Sequence, residues 1–160
     1  MYNEDQDLGW RLWLHGYRNV LAPKSIAYHQ YEFSRSIEKM YFMDRNRILV
    51  ILQNYRLPTL ILLWPVNKFH ELATMILAIK GGWGKQKLAV WRYFFKRSTW
   101  SMIRQKRGQR QRSRTVKDRE IIHRFTGKIL FQDVMNPAVK YIANPVLGAY
   151  WWVVKRIIFW

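Results

Sequence analysis

The sequence predicts a mainly α-helical protein with a short N-terminal α/β piece, followed by amphipathic helices. Three observations carry this expectation. Residues 3–29 alternate a helical pattern with two short apolar runs. From residue 34 onward, apolar side chains recur at helical rather than alternate spacing. Proline and asparagine-proline pairs punctuate the chain at element boundaries.

Composition narrows the partners. A chain of 160 residues is long enough for one domain with a real core. It carries 28 Lys and Arg against 10 Asp and Glu, a formal charge of +18, with nine Trp, nine Tyr and eight Phe. Basic and aromatic together fit a partner that is anionic and partly apolar, either nucleic acid or an anionic membrane surface. The absence of cysteine excludes disulfides, a thiolate nucleophile and cysteine-based zinc sites. The first residues are acidic and polar, unlike a secretory signal.

The first element is Asn3-Glu4-Asp5-Gln6-Asp7-Leu8-Gly9-Trp10-Arg11. Asn3 and Gln6 have capping-box spacing, and Glu4, Asp5 and Asp7 lie where a helix dipole favours negative charge. Asp7 and Arg11 are placed for an i,i+4 ion pair, and Gly16 is placed to end the helix. These acids read either as a well-capped surface helix or as a catalytic constellation in which a carboxylate at a helix start serves as general base. Residues 17–22, closed by Pro23, and 26–29 are expected to be short strands around a Lys24-Ser25 turn. His29 ends the second strand, as a structural histidine or as a ligand in a metal site shared with carboxylates.

The run Glu4-Asp5-Gln6-Asp7-Leu8-Gly9-Trp10-Arg11, then Leu14-His15-Gly16-Tyr17-Arg18, Pro23 and Tyr28-His29, resembles the second half of the catalytic domain of family-two (GT-A type) glycosyltransferases. The likeness is nearest to bacterial rhamnosyltransferase-type members and covers about residues 2–55. It implies that residues 3–29 are the closing edge of a GT-A α/β sheet. By the same resemblance Asp5 is the catalytic base, Glu4 its partner, Asp7 a holder of local geometry, and His29 a ligand to a divalent Mg or Mn. Arg11 and Arg45 would bind substrate, Arg45 as part of an Arg45-Asn46 pair near the diphosphate. The implied donor is a nucleotide-sugar such as dTDP-rhamnose. The family's nucleotide-binding half and Asp-x-Asp motif have no counterpart here, so this chain is expected to be an incomplete catalytic domain, inactive alone.

Beyond it, 34–55 has a helical face formed by Ile37, Met40, Tyr41, Ile48, Ile51, Leu52 and Tyr55, with Asp44, Arg45, Asn46 and Arg47 on a charged flank. Residues 57–66 and 72–79 are apolar but interrupted by Asn67-Lys68-Phe69-His70-Glu71, which argues against a spanning helix. They are expected to form interfacial helices, or a buried hairpin, with Val66, Phe69, Ala73, Ile76 and Leu77 opposite a polar face of Asn67, Lys68, His70, Glu71 and Thr74. Residues 81–85 are a loop without phosphate-loop spacing. Leu88, Trp91 and Phe95 line a further surface helix among Lys85, Lys87, Arg92, Lys96 and Arg97.

Residues 104–119 hold Arg104, Lys106, Arg107, Arg110, Arg112, Arg114, Lys117 and Arg119 with Asp118 alone among acids, a solvated run or one facing anionic lipid. No aromatic lies between Trp100 and Phe125, which makes nucleic acid the weaker partner. The tail, with Asn144-Pro145 and the apolar run 146–154 before Lys155-Arg156, is expected to be an amphipathic anchor.

The expected organisation is therefore 1–55 as the incomplete catalytic part, 56–103 as membrane-associated helices, 104–125 as a basic segment and 126–160 as the anchor. The function implied is sugar transfer to a lipid-linked or polysaccharide acceptor at the cytoplasmic face of the bacterial inner membrane. A missing N-terminal half would be the partner chain. The alternative is a small cationic membrane- or nucleic-acid-binding protein without enzymatic activity.

Overall fold

The structure is a computed structural model that describes residues 2–26, 28, 37–130 and 137–160. Within them the chain is mainly helical: α1 (Glu4–Leu14), α2 (Glu38–Asn54), α3 (Leu57–Lys80), α4 (Gly84–Phe95), α5 (Arg97–Ser113), α6 (Asp118–Ile122) and α7 (Asn144–Ile157), the last preceded by a π-helical turn at Val139–Ala143.

The α/β piece expected at the N-terminus is not formed among the described residues. Residues 17–26 follow α1 as irregular chain with Val20, Leu21 and Ile26 exposed. A short apolar run becomes a strand only when a neighbour satisfies its backbone donors and acceptors, and among the described residues no other segment pairs with this one.

Local chemistry sets the helix ends. Gly16, at φ +81°, closes α1. Its N–H donates to the Trp13 carbonyl at 2.9 Å and that of Tyr17 to Leu12 at 3.0 Å, the paired bonds of a Schellman end. Extended Tyr55 and Arg56 separate α2 from α3, where Pro58 sits in the first turn and costs no hydrogen bond. Lys96, also extended, breaks α4 from α5. The freed carbonyls of α4 are taken by Thr99 Oγ1, bonding Tyr93 O at 2.7 Å, and Trp100 Nε1, bonding Phe94 O at 2.7 Å. Asn144 bonds both the N–H and the carbonyl of Ile129 through its amide, at 2.8 and 3.0 Å, and so ties the start of α7 to the preceding loop.

The apolar core draws Trp10 and Leu14 from α1, Val50 and Tyr55 from the α2 end, Leu63 from α3, Ile121 and Ile122 from α6, and Val154 and Ile158 from α7. Trp10 meets Tyr55 edge-on at 4.6 Å and Phe125 at 4.8 Å between ring centres. Tyr150 donates to the Leu62 carbonyl, and Trp160 Nε1 to Thr59 Oγ1 at 2.8 Å, so the expected anchor is docked on α3.

Residues 57–80 form one helix rather than two, with Pro65 inside it, and its apolar side is turned outward, the orientation of the interfacial alternative rather than of the buried hairpin. Glu71, His70 and Thr74 turn inward, while Leu57, Ile61, Trp64, Phe69, Leu72, Ile76, Leu77 and Ile79 are exposed. The cause is charge pairing. Fully buried Lys87 donates to Asp44 at 2.6 Å and to Glu71 at 2.8 Å. Arg47 bridges the same two carboxylates, reaching Asp44 at 3.0 Å, and Trp91 Nε1 donates to Glu71 at 3.2 Å. Asp44, Arg47 and Lys87 are thus interior, not on charged surface flanks. Two cations against two anions make the cluster neutral, the condition under which charge is tolerated out of water.

His70 lies beside this cluster with Nδ1 buried and unpartnered. Burial, and then Arg47, lower its pKa from 6.5 to about 4, against opposing pulls from Glu71 and Asp44. For Glu71, burial raises the pKa, but hydrogen bonding to Lys87 and the charge of Arg47 outweigh it and leave the carboxyl below 4.5. Each depressed pKa means that the unfolded chain binds the proton more readily. Stability is full above pH 6.5, falls through the His70 window down to pH 4, and falls further below 4.5 as Glu71 protonates. We expect thermal unfolding to report a loss of about 1–2 kcal/mol across the His70 window, after allowance for its partial exposure. His70→Gln should flatten that window alone, and an unchanged slope in the variant would contradict the assignment.

Candidate functional site

The acidic motif occupies the first two turns of α1. Asn3 precedes it in the left-handed conformation, φ 66°, and makes no side-chain cap. This corrects the expected capping box. The Asn3 amide instead donates to the Met43 carbonyl at 3.0 Å, and Asn46 Nδ2 donates to the Tyr2 carbonyl at 2.7 Å, so two crossed amide bonds hold the start of α1 against the middle of α2.

The three carboxylates part company. Glu4 and Asp5 are exposed, and among the described residues neither meets a hydrogen-bonding or ionic partner. Asp7 is turned inward. Arg11 Nε donates to it at 3.0 Å, the ion pair expected from their spacing. Arg110 approaches both of its oxygens, at 2.7 and 3.2 Å, and also donates to Asn54 Oδ1 at 2.8 Å. Asp7 therefore fixes the azimuth of α1 against α2 and α5. As the first two residues of the same helix, Glu4 and Asp5 inherit that placement.

Arg110 belongs to a stripe that the sequence reading missed as a unit. Arg107, Arg110, Gln111 and Arg114 follow i, i+3, i+4, i+7 spacing and face the C-terminal end of α2. Arg107 NH1 donates to the carbonyls of Leu52 and Tyr55 at 2.7 and 2.6 Å, and Gln111 Nε2 to that of Asn54 at 2.9 Å. These are the orphan acceptors and the negative pole of a helix end. Arg114 pairs with fully buried Asp118 at 2.6 Å. The other Asp118 oxygen accepts the Arg56 N–H at 2.8 Å and the Thr59 hydroxyl at 2.5 Å. Burial, and then the Asp118 charge, raise the pKa of the neighbouring Tyr55 hydroxyl. Three of the eight basic residues in the run are thus structural, and Arg104, Lys106, Arg112, Lys117 and Arg119 remain exposed. The helical spacing within the run was the signal available in advance.

Of the other expected site residues, Arg45 is half-buried. Its guanidinium lies 5.1–5.3 Å from the ring centres of Tyr41, Phe42 and Tyr93, and bonds Asn46 Oδ1 at 2.9 Å. Arg11 is partly exposed, with one edge on Asp7. His29 lies outside the described residues. For a divalent cation, Glu4 and Asp5 offer hard oxygen donors, but Asp7 is taken by two arginines. Among the described residues no three His, Asp or Glu side chains converge as a metal site.

Chemically, the α1 start presents a free carboxylate pair on a braced helix. That suits acceptance of a proton from a substrate hydroxyl, with the accompanying wall absent among the described residues. We expect Asp7→Ala to cost about 2 kcal/mol by leaving Arg110 half-paired, and Asp5→Asn to cost under about 1 kcal/mol. Urea unfolding of both variants checks this, and equal losses would erase the division between structural and free carboxylates. No protein-family model, curated protein or solved structure matches the chain.

Proposed function

We propose that this chain is the acceptor-side part of an inverting glycosyltransferase, working with a nucleotide-binding half absent from these 160 residues. The single observation that carries the reading is the division of labour at α1, where Asp7 holds the helix while Asp5, the residue matching the family's base, stays free with Glu4 beside it. In the reaction, Asp5 takes the proton from an acceptor hydroxyl as that oxygen bonds to the anomeric carbon of a nucleotide-sugar. The nucleoside diphosphate leaves from the opposite side with the bonding pair, so configuration inverts. Arg45, splayed between aromatic rings, is a candidate for the diphosphate. A divalent metal would ease departure of the diphosphate, and His29 is the family-matched ligand. The exposed apolar residues at 17–28, including Tyr28, suit packing against the missing half.

The acceptor reading, lipid-linked or polysaccharide, draws on the outward side of α3. Leu57, Ile61, Trp64, Leu72, Ile76 and Ile79 form one exposed ridge, and Lys68 lies over the Trp64 ring at 5.7 Å. At 1.5 Å per residue the ridge is about 33 Å long. No helix among the described residues is long and apolar enough to cross a membrane, so contact along the surface is the fitting mode. Together with the net charge of +18, the ridge points to an anionic bilayer. The same observation supports a second reading, a cationic membrane-binding protein without catalysis.

Co-expressed with its nucleotide-binding half, the chain should transfer labelled sugar to a membrane-lipid acceptor, and Asp5→Asn should lower kcat about 100-fold or more with helix content unchanged. An active Asp5→Asn enzyme would dismiss the general-base role. For the membrane, Trp64→Glu with Leu72→Glu should abolish the salt-resistant share of co-sedimentation with vesicles of phosphatidylglycerol and phosphatidylcholine. Retention of that share at high salt would remove α3 as the contact.

A further inference from the structure

A cavity of about 580 Å³ opens between α6 and the C-terminal end of α7. Its wall carries four basic side chains, Arg119, His123, Lys155 and Arg156, with the rings of Trp152 and Phe159 and the edge of Ile158. No carboxylate side chain lines it. Among the described residues none of the four bases is in an ion pair, in contrast to Arg110, Arg114 and Lys87 elsewhere in the fold.

The acceptors nearby are already engaged. Asp118 is buried against Arg114, and Glu120 accepts the Lys117 N–H at 3.3 Å. The Trp160 main-chain oxygen accepts the Arg119 N–H at 3.1 Å, and the Arg119 carbonyl accepts from His123 Nδ1 at 2.7 Å. Because a carbonyl only accepts, the His123 proton is on Nδ1, and Nε2 is left uncommitted. Arg156 is stacked on Trp152 with its central carbon 3.3 Å from the ring centre. Stacking fixes the guanidinium plane and leaves its N–H edges available for a bidentate acceptor. The pocket therefore has an excess of donors and positive charge beside two aromatic surfaces.

We propose that this pocket binds the phosphate group of a small phosphate ester, with Arg119, Lys155 and Arg156 on the phosphate and Trp152 and Phe159 against the apolar remainder. The chemistry is shared by a lipid headgroup and by a free phosphate. The site is built from α6 and α7, and the proposal stands independently of the sugar-transfer reading.

Titration calorimetry on the full chain tests it with two probes, dihexanoyl phosphatidic acid below its micellar concentration and sodium pyrophosphate. Arg119→Gln with Arg156→Gln should weaken phosphatidic acid binding at least tenfold. Arg104→Gln with Lys106→Gln, which removes the same charge from exposed α5, should change it less than twofold. Far-UV circular dichroism confirms folding, and movement of the His123 Cε1–H resonance on addition of either probe provides a readout in the unaltered chain. Tighter binding of phosphatidic acid than of pyrophosphate supports the site and assigns it to a lipid headgroup; equal or tighter pyrophosphate binding supports the phosphate contacts, assigns them to a free phosphate and overturns the role given to Trp152 and Phe159. Binding of neither probe, or equal weakening by the two variant pairs, overturns the proposal.

Discussion

The arrangement depends on how the C-terminal end of α2 is satisfied. A helix that stops inside a protein leaves carbonyls without partners and a concentration of negative potential. Here Arg107 and Gln111 supply the donors, while Arg110 links Asn54 to Asp7. One helix end thereby joins α1, α2 and α5, and Arg114 carries the connection to Asp118 and so to the start of α3. Apolar burial supplies the nonspecific drive to collapse. These directional contacts select which faces meet, because a charged donor left buried without its acceptor costs more than the packing at one residue returns.

The second constraint is the neutral group of Asp44, Arg47, Glu71 and Lys87. It joins α2, α3 and α4 through their polar faces and leaves the greasiest side of α3 outside. An amphipathic helix in a water-soluble domain is ordinarily oriented the other way. With the exposed rings of Trp64, Phe95 and Trp152 and the surplus of cations, this orientation leaves an outer surface that is both apolar and positively charged.

Much of the helical outline was legible in the sequence, because apolar periodicity and glycine or proline boundaries are local signals. Gly16 ended α1 as expected and Asp7 paired with Arg11, whereas helical residues 137–143 run straight into Asn144-Pro145, which marks a change of helix type rather than a turn. What was not legible was partner choice. Lys87 reads as a surface lysine until Asp44 and Glu71, far away in sequence, are brought to it, and Asn3 reads as a cap until the Met43 carbonyl competes for its amide. Strand formation at 17–22 failed for the same reason, since a strand is a property of two segments and one sequence window displays only one. The acidic motif itself was visible at once; that Asp7 would be held by Arg110 while Asp5 stayed free was decided by a residue more than a hundred positions downstream.

The outward ridge of α3 bears on how such a chain survives its own synthesis. Tucking that ridge away would drag Glu71 out of reach of Lys87 and strand both ions, so the helix has no low-energy rotation by which to hide its leucines and isoleucines. A newly made copy therefore exposes that apolar strip as soon as α3 docks, and contiguous exposed apolar area of this kind favours self-association even when each helix is correctly formed.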